Sequence, residues 1–323
     1  MQPVSIVATV LNEVEDIARL VPSLLKQIPP PAEVVIVDGG STDGTWEWLL
    51  DAAGKNSVLR PIRDESCNLK RSPGPISKGR NVAIAAANSQ IVACTDAGCT
   101  YAPDWLGRIT APLVASTAEY ALGGARLDLN DPTVWDLASA PFFGVKLSDS
   151  APTKSCTARS MAFTKNLWQR IGGFPESVFF GEDTLFDHQA RRLTAPAFVS
   201  CAKAVYRPQY TLLSASRQLA RYAISDGILG VRPARLFRNA ARCIVQVLAL
   251  VSLPWSVIPL VLIVAIQCWL AFHPDWQIIR RTGPRTLLAR FVFSFLVPWI
   301  VVANQMRGAI TSKSPANRQN LES

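Results

Sequence analysis

Two aspartates, Asp38 and Asp96, each close an apolar run, VVIV at 34–37 and IVACT at 91–95. If both runs are parallel strands, these carboxylates stand at the strand ends outside which such sheets bind ligands. Aspartate also caps turns. One such residue is explained equally well that way, but two at equivalent strand ends favour binding. A second acidic element is Glu182-Asp183, behind Phe179-Phe180 and leading into TLFDHQARR at 184–192. Adjacent carboxyls raise each other's pKa and apolar neighbours desolvate them, which suits a proton acceptor. Acids in a first helical turn are also favoured by the helix dipole, and on residue type alone capping is the simpler reading. Glu13, after the first apolar run, divides the same way between pocket lining and first-turn acid. Arg80 and Asn81 stand near the start of a helical stretch from Lys78, a setting that favours anions. A solvated surface arginine is the alternative. Asp43 reads as a loop cap.

These residues need a scaffold, and the first hundred positions describe one. Val4–Val10 is continuously apolar, as a strand buried on both faces must be. Val14, Ile17, Leu20, Val21, Leu24, Leu25 and Ile28 then recur at helical spacing, until Pro29-Pro30-Pro31 stops the helix. Strands are expected at 34–37, 57–62 and 91–95, with helices at 45–53 and 78–88. This alternation implies a parallel sheet with right-handed crossovers. From 101 to 192 the pattern is mixed: helix to 113, strands at 123–129 and 156–163, then short helices at 167–171 and from 182.

The chain has 323 residues, 49% hydrophobic and only 18% charged, which excludes a disordered chain. Its net charge of +9 is unevenly held: residues 230–323 carry 11 basic and two acidic residues, and the first 229 are balanced. The excess therefore surrounds the C-terminal apolar runs, which favours a membrane surface and argues against nucleic acid. Cysteines stand at 67, 94, 99, 156, 201, 243 and 268 with no CxxC pair, and His188 and His273 are the only histidines. That is little from which to build a zinc site, and reduced cysteines of a cytoplasmic protein are expected. The N-terminus lacks the basic start and apolar core of a signal peptide.

The chain resembles the family 2 glycosyltransferases of the GT-A fold from about Val4 to Gly230. The pieces that carry this, in order, are VSIVATVLNE (4–13), VIVDGGSTDGT (35–45), KGRNVAI (78–84), TDAG (95–98), IGGFPE (171–176) and FGED (180–183). The resemblance implies an α/β GT-A fold, a Rossmann-like and mostly parallel sheet flanked by helices, with C-terminal hydrophobic helices. It implies an inverting hexosyltransferase using a nucleotide-sugar donor. Glu13, Asp38, Arg80, Asn81 and Asp96 would bind that donor, with Asp38 on the base. Asp183, assisted by Glu182, would be the base that takes the acceptor's hydroxyl proton. Gln218, Arg221 and Tyr222 resemble a Gln-x-x-Arg-Trp segment that handles acceptor or phosphate. In TDAG the family's second metal-binding aspartate is Gly98, which offers no ligand. A divalent cation, Mg²⁺ or Mn²⁺, is thus expected only through Asp96 alone or with a distant ligand. Lys78, Arg80 or a later arginine is the alternative counter-charge for the diphosphate.

The expected domains are 1–100, the nucleotide-sugar half; 101–229, the acceptor and catalytic half; 230–306, membrane-associated helices; and 307–323, a polar tail. The acceptor is expected to be lipid-linked or a saccharide, serving polysaccharide biosynthesis in the cell envelope. The alternatives are a polyprenyl-phosphate acceptor and a catalytically silent sugar-nucleotide-binding protein. Residues 243–272 hold no charge in 30 positions, long enough to span a bilayer. Residues 291–303 form a 13-residue apolar run, short for a span. Arginines at 232, 235, 238 and 242 place the catalytic domain on the cytoplasmic side of the inner membrane. Two spans are preferred over a re-entrant 243–272 segment bent at Pro254 and Pro259.

Overall fold

The structure, a computed structural model, describes residues 2–147, 156–252 and 283–312, with residues 254, 257, 258, 261, 262, 265 and 266. The choice between spanning and re-entrant passage through 253–282, and the tail at 313–323, lie outside the described residues.

The described chain forms two compact units, 1–126 with 149–207, and 127–148 with 208–323. The first unit is an eight-stranded sheet in the order β3-β2-β1-β4-β7-β6-β8-β5. Its strands β1 (Val4–Val10), β2 (Glu33–Asp38), β3 (Leu59–Arg63) and β4 (Ile91–Cys94) are parallel. The strands β5 (Cys99–Tyr101), β6 (Tyr120–Leu127), β7 (Met161–Thr164) and β8 (Ala197–Tyr206) complete it. β7 runs antiparallel to β4 and to β6, and β5 antiparallel to β8. The helices of this unit are α1 (Val14–Leu25), α2 (Thr45–Lys55), α3 (Pro75–Ala86), α4 (Trp105–Val114), α6 (Lys165–Arg170) and α7 (Glu182–Leu193), with α5 (Val134–Ser139) in the other unit.

The strands form where β-branched residues repeat without interruption, because both faces of the sheet are covered. All six residues of β2 are buried, and each fully buried valine or isoleucine contributes about 1.5–3 kcal/mol. Gly79 is required by close packing. A Cβ there would lie 2.1 Å from the Thr9 hydroxyl, so only glycine lets α3 approach β1 at this point.

Two elements differ from the sequence reading. The expected strand at 156–163 is a 3₁₀ turn, Ala158–Ser160, followed by the four-residue β7. The helix expected to open at Lys78 opens at Pro75, because proline is well suited to a first helical position where no N–H bond is needed. Arg80 and Asn81 therefore lie in its second turn, where their N–H groups serve the helix rather than an anion. The strands β5 and β8 carry weak period-2 patterns and were not foreseen.

The second unit contains α8 (Leu212–Ile228), α9 (Pro233–Val251) and α10 (Pro284–Ser312). On α10, Ala289, Phe293, Val297 and Val301 recur every fourth residue and pack with Ala138 of α5 and Ala215 and Leu219 of α8. Small residues allow a close crossing: a Cβ on Gly227 would stand 2.1 Å from the Gln305 carbonyl, and one on Gly308 2.1 Å from that of Ile224. The run 291–303, short by itself, is thus the middle of a 29-residue helix. Among the described residues, Pro284–Thr311 is the one helix long and apolar enough to cross a membrane; 44% of its most apolar window is buried within the protein. Its exposed face keeps Leu288, Trp299, Met306 and Ile310, and α9 exposes Phe237, Ile244, Val245, Leu248 and Val251.

Candidate active site

The first parallel strands deliver two turns that knit together. After β1, Asn12 has a positive φ of 56°. Its N–H donates to the Ser41 hydroxyl at 2.8 Å, and its side-chain oxygen accepts from the Thr42 N–H at 2.8 Å. Asp43 accepts from the N–H groups of Thr45 and Val14, so it caps the starts of α2 and α1 as its loop position suggested. Asp38 ends β2 fully buried. Its Oδ1 accepts from the N–H groups of Gly40 at 2.8 Å and Ser41 at 2.9 Å. Its Oδ2, equally buried, has no partner among the described residues. A buried acceptor left idle costs about 1–3 kcal/mol, and a ligand N–H or O–H would relieve that cost.

At the end of β4 the arrangement is ionic. Arg80, 3% exposed, donates one guanidinium nitrogen to Asp96 at 2.7 Å and the other to Glu182 at 2.6 Å. The guanidinium also lies over the Phe174 ring, 5.4 Å from its centre. Burial pushes the Glu182 carboxyl above its ordinary range, opposed by Arg80. The two acids in turn strengthen the hold of Arg80 on its proton against burial. Arg80 thus ties α3, the end of β4 and the start of α7 together, with Arg80 and Glu182 buried and Asp96 partly exposed.

Asn81 serves the same assembly. Its amide nitrogen donates to the Phe174 carbonyl and to Glu176, both at 2.8 Å. Its oxygen accepts from the Phe174 N–H at 2.8 Å and the Trp168 indole at 3.1 Å. These bonds occupy the whole amide, so it holds the 173–176 turn in place. Phe174 stacks on Phe186 of α7 at 4.3 Å and 17°, which carries that turn onto α7.

Asp183 stands beside Glu182 in the first turn of α7, half-buried. It accepts from the Thr184 N–H at 2.7 Å and, through Oδ2, from the Ala158 N–H at 3.4 Å. Among the described residues no cation pairs with it. Glu13 begins α1, its N–H bonded to the Thr45 hydroxyl at 2.9 Å. Burial, then Asp16, Asp43 and Asp96, push its carboxyl up to about 8. Gln218, Arg221 and Tyr222 lie on α8 in the second unit, where the Tyr222 ring meets Phe143 at 5.8 Å.

The structure thus gathers Arg80, Asp96, Glu182 and Asp183, with Asn81 turned to a supporting task and Asp38 at the end of β2, separated from β4 by β1. Asp16 and Arg159 were missed. Arg159 lies in the 3₁₀ turn before β7, its Nε 3.9 Å from Asp96 Oδ2. No local motif marks it, because contact with residue 96 arises only from the antiparallel pairing of β4 with β7.

Residues 5–177 match the model of glycosyl transferase family 2. Glycosyltransferase AglE of Haloferax volcanii is 24% identical over 316 residues, covering 92% of this chain and 91% of that protein. The mannosyltransferase PcManGT of Pyrobaculum calidifontis, solved with GDP-Man and Mn²⁺, superposes with a TM-score of 0.52 at 18% identity. That alignment covers 100% of this chain and 79% of PcManGT. TarS 1–349 of S. aureus aligns over 96% of this chain and 91% of its own length, with a TM-score of 0.48 and 18% identity. The fold is GT-A, and the chain belongs to glycosyl transferase family 2: it is a glycosyltransferase.

The GT-A fold is compatible with a divalent cation, as the Mn²⁺ of PcManGT illustrates. The side chains here fit one poorly. One oxygen of Asp96 takes Arg80 and the other faces Arg159, and position 98 offers no donor. Among the described residues no three His, Cys, Asp or Glu side chains converge on a metal position.

Proposed function

We propose that this enzyme transfers a sugar, with inversion, from a nucleotide-sugar donor to a hydroxyl of a lipid-linked or saccharide acceptor. The work is done at the cytoplasmic face of a membrane. The observation that carries the reading is the division of labour in the Glu182-Asp183 pair. Glu182 is bound to Arg80, and no cation among the described residues pairs with Asp183. A base must be within reach of the acceptor and not already neutralised by a fixed partner. Asp183 meets the second condition and Glu182 does not. Asp183 would take the hydroxyl proton as the acceptor oxygen attacks the anomeric carbon. The idle Oδ2 of Asp38 supports a donor site at the β2 end, where it would accept from the base or the ribose. GDP-Man in PcManGT and UDP in TarS identify nucleotides that chains of related architecture bind. For the membrane, support comes from the apolar length of α10, the exposed apolar face of α9, and the arginines at 232, 235, 238 and 242.

The test is nucleoside diphosphate release from a panel of nucleotide sugars, with envelope lipid and oligosaccharide fractions as acceptors. Asp183→Asn is expected to lower turnover about 10²–10⁴-fold while binding of the nucleotide survives. Unchanged turnover would instead indicate an acceptor that is already anionic, such as a polyprenyl phosphate, which needs no base. No release from any donor would leave only sugar-nucleotide binding.

A further inference from the structure

The candidate base is held from behind by groups that the transfer itself does not use. Asp183 lies in the first turn of α7, and the segment Cys156–Ala158 holds it twice. The Cys156 thiol donates to the Asp183 carbonyl at 3.3 Å, and the Ala158 N–H donates to Oδ2 of its carboxylate at 3.4 Å. A backbone carbonyl has two lone pairs, so the thiol takes nothing from the helix ladder. Cys156 in turn lies against the Tyr120 hydroxyl, sulfur to oxygen 3.5 Å. That hydroxyl donates to Asp187 Oδ1 at 3.2 Å, one helical turn beyond Asp183. The same Asp187 oxygen accepts from Arg191 Nε at 2.7 Å.

Tyr120 and Cys156 have one proton each to give. A carboxylate is a stronger acceptor than a thiol, so the hydroxyl proton lies on Asp187 and the thiol proton is left for the Asp183 carbonyl. Both groups keep their protons at neutral pH. Burial, then the neighbouring Cys156 and Asp187, push the Tyr120 hydroxyl well above its ordinary range. Burial, then Asp183 and Asp187, do the same to the Cys156 thiol. Tyr120 is itself fixed: it opens β6 fully buried, stands in register with Phe163 of β7, and meets the Phe186 ring of α7 edge-on at 6.0 Å. Residues 183 and 187, four apart, share one face of the helix. Anchors at the Asp183 carbonyl and the Asp187 carboxylate therefore fix the rotation of α7 about its axis, and with it the aim of the Asp183 carboxyl.

We propose that Tyr120, acting through Cys156 and Asp187, is a positioning residue that sets the aim of Asp183 without touching the substrate. This rests on the reading of Asp183 as the base. In the transfer, the acceptor oxygen bonds to the anomeric carbon and the bond from that carbon to the diphosphate oxygen breaks. The electron pair of the broken bond stays on the diphosphate, and the hydroxyl proton passes to Asp183. Tyr120 and Cys156 exchange no proton in this step. They hold the acceptor of that proton in line with the attacking oxygen.

Steady-state release of nucleoside diphosphate by the full chain, from a panel of UDP- and GDP-sugars with an envelope lipid extract as acceptor, tests this. Tyr120→Phe keeps the ring and its packing and removes only the hydroxyl. It is expected to lower kcat about 10- to 100-fold, as misplacing a reacting group by about an ångström does, and to leave the donor KM unchanged. Cys156→Ala is expected to lower kcat about 3- to 10-fold, the loss of one hydrogen bond, and Cys156→Ser, which keeps a one-proton donor, to recover most of it. On the residual turnover of Asp183→Asn, Tyr120→Phe is expected to have an effect of less than about twofold, because a residue that acts through the carboxylate has nothing left to aim. Wild-type kcat in Tyr120→Phe, with turnover lost in Asp183→Asn, overturns the proposal and spares the base reading. An equal fall from Tyr120→Phe in both backgrounds overturns it as well, since that is the mark of a purely structural role. Should Tyr120→Phe not fold, wild-type kcat in Cys156→Ala has the same meaning. Unchanged turnover in Asp183→Asn, or no release from any donor, ends the base reading and this proposal together.

Discussion

The carboxyl ends of β2 and β4 each present an aspartate, and the two are held in opposite ways. Asp38 is gripped by backbone N–H groups of Gly40 and Ser41 through one oxygen, and the other is left buried and idle. Asp96 is gripped by side chains, Arg80 on one oxygen and Arg159 facing the other. A carboxylate held by the backbone through one oxygen leaves the other as an acceptor for a ligand. An arginine-held carboxylate spends its charge on aligning the elements that carry the arginines. Equivalent places in a parallel sheet therefore do not imply equivalent partners: one oxygen of the first is left without a partner among the described residues, and both oxygens of the second face arginines.

The largest expected effect breaks the organising end. Arg80→Met leaves Asp96 and Glu182 without their shared cation, Glu182 in a buried setting. Loss of one partner from a buried ionic cluster costs about 3–5 kcal/mol. Urea unfolding of the solubilised chain is expected to shift by that amount; a change under about 1 kcal/mol, the value of a surface pair, would show that the triad does not hold the site together.

Asp38→Asn attacks the binding end and spares the fold. The carboxamide oxygen still accepts from Gly40 and Ser41, but the other position becomes a donor facing the ligand's own donors. Nucleotide affinity is expected to fall about 10- to 100-fold with the unfolding midpoint nearly unmoved. A large loss of stability with intact nucleotide binding would erase the contrast between the two ends.

A separate effect, read as a pH dependence, concerns Glu13, whose carboxyl is raised from 4.5 to about 8. In the folded chain it stays protonated where the unfolded chain has already ionised. The folded state then binds more protons, so stability falls as pH rises from about 4.5 toward 8 and is level beyond. Glu13→Gln is expected to remove that slope. The variant should gain on the wild type near the upper end of this window and match it below the lower end. Parallel pH profiles would show that Glu13 titrates normally.

Much of this was legible beforehand. The four parallel strands, Asp38 and Asp96 at their ends, and Glu182-Asp183 at a helix start follow from apolar runs and punctuation that act over a few residues. The start of α3 was misjudged because Pro75 signals a first turn more strongly than the basic pair that follows. The antiparallel strands β5 and β8 were missed because short strands in a mixed sheet take their pairing from distant partners and carry little pattern of their own. The same distance hid the full length of the helix around 291–303. Its apolar run is short, and the flanking residues become helical by packing on α8 through Gly227 and Gly308.

By itself the sequence determined which residues could carry charge, where each strand would end, and that position 98 has no ligand to offer. These depend on residue type and on neighbours close in the chain. Only the tertiary structure decided how that charge is shared. Arg80 is 102 residues from Glu182, and Arg159 reaches Asp96 only because β7 lies antiparallel beside β4. Electrostatic partnership depends on separation in space and on burial, and both are set by the packing of the whole sheet.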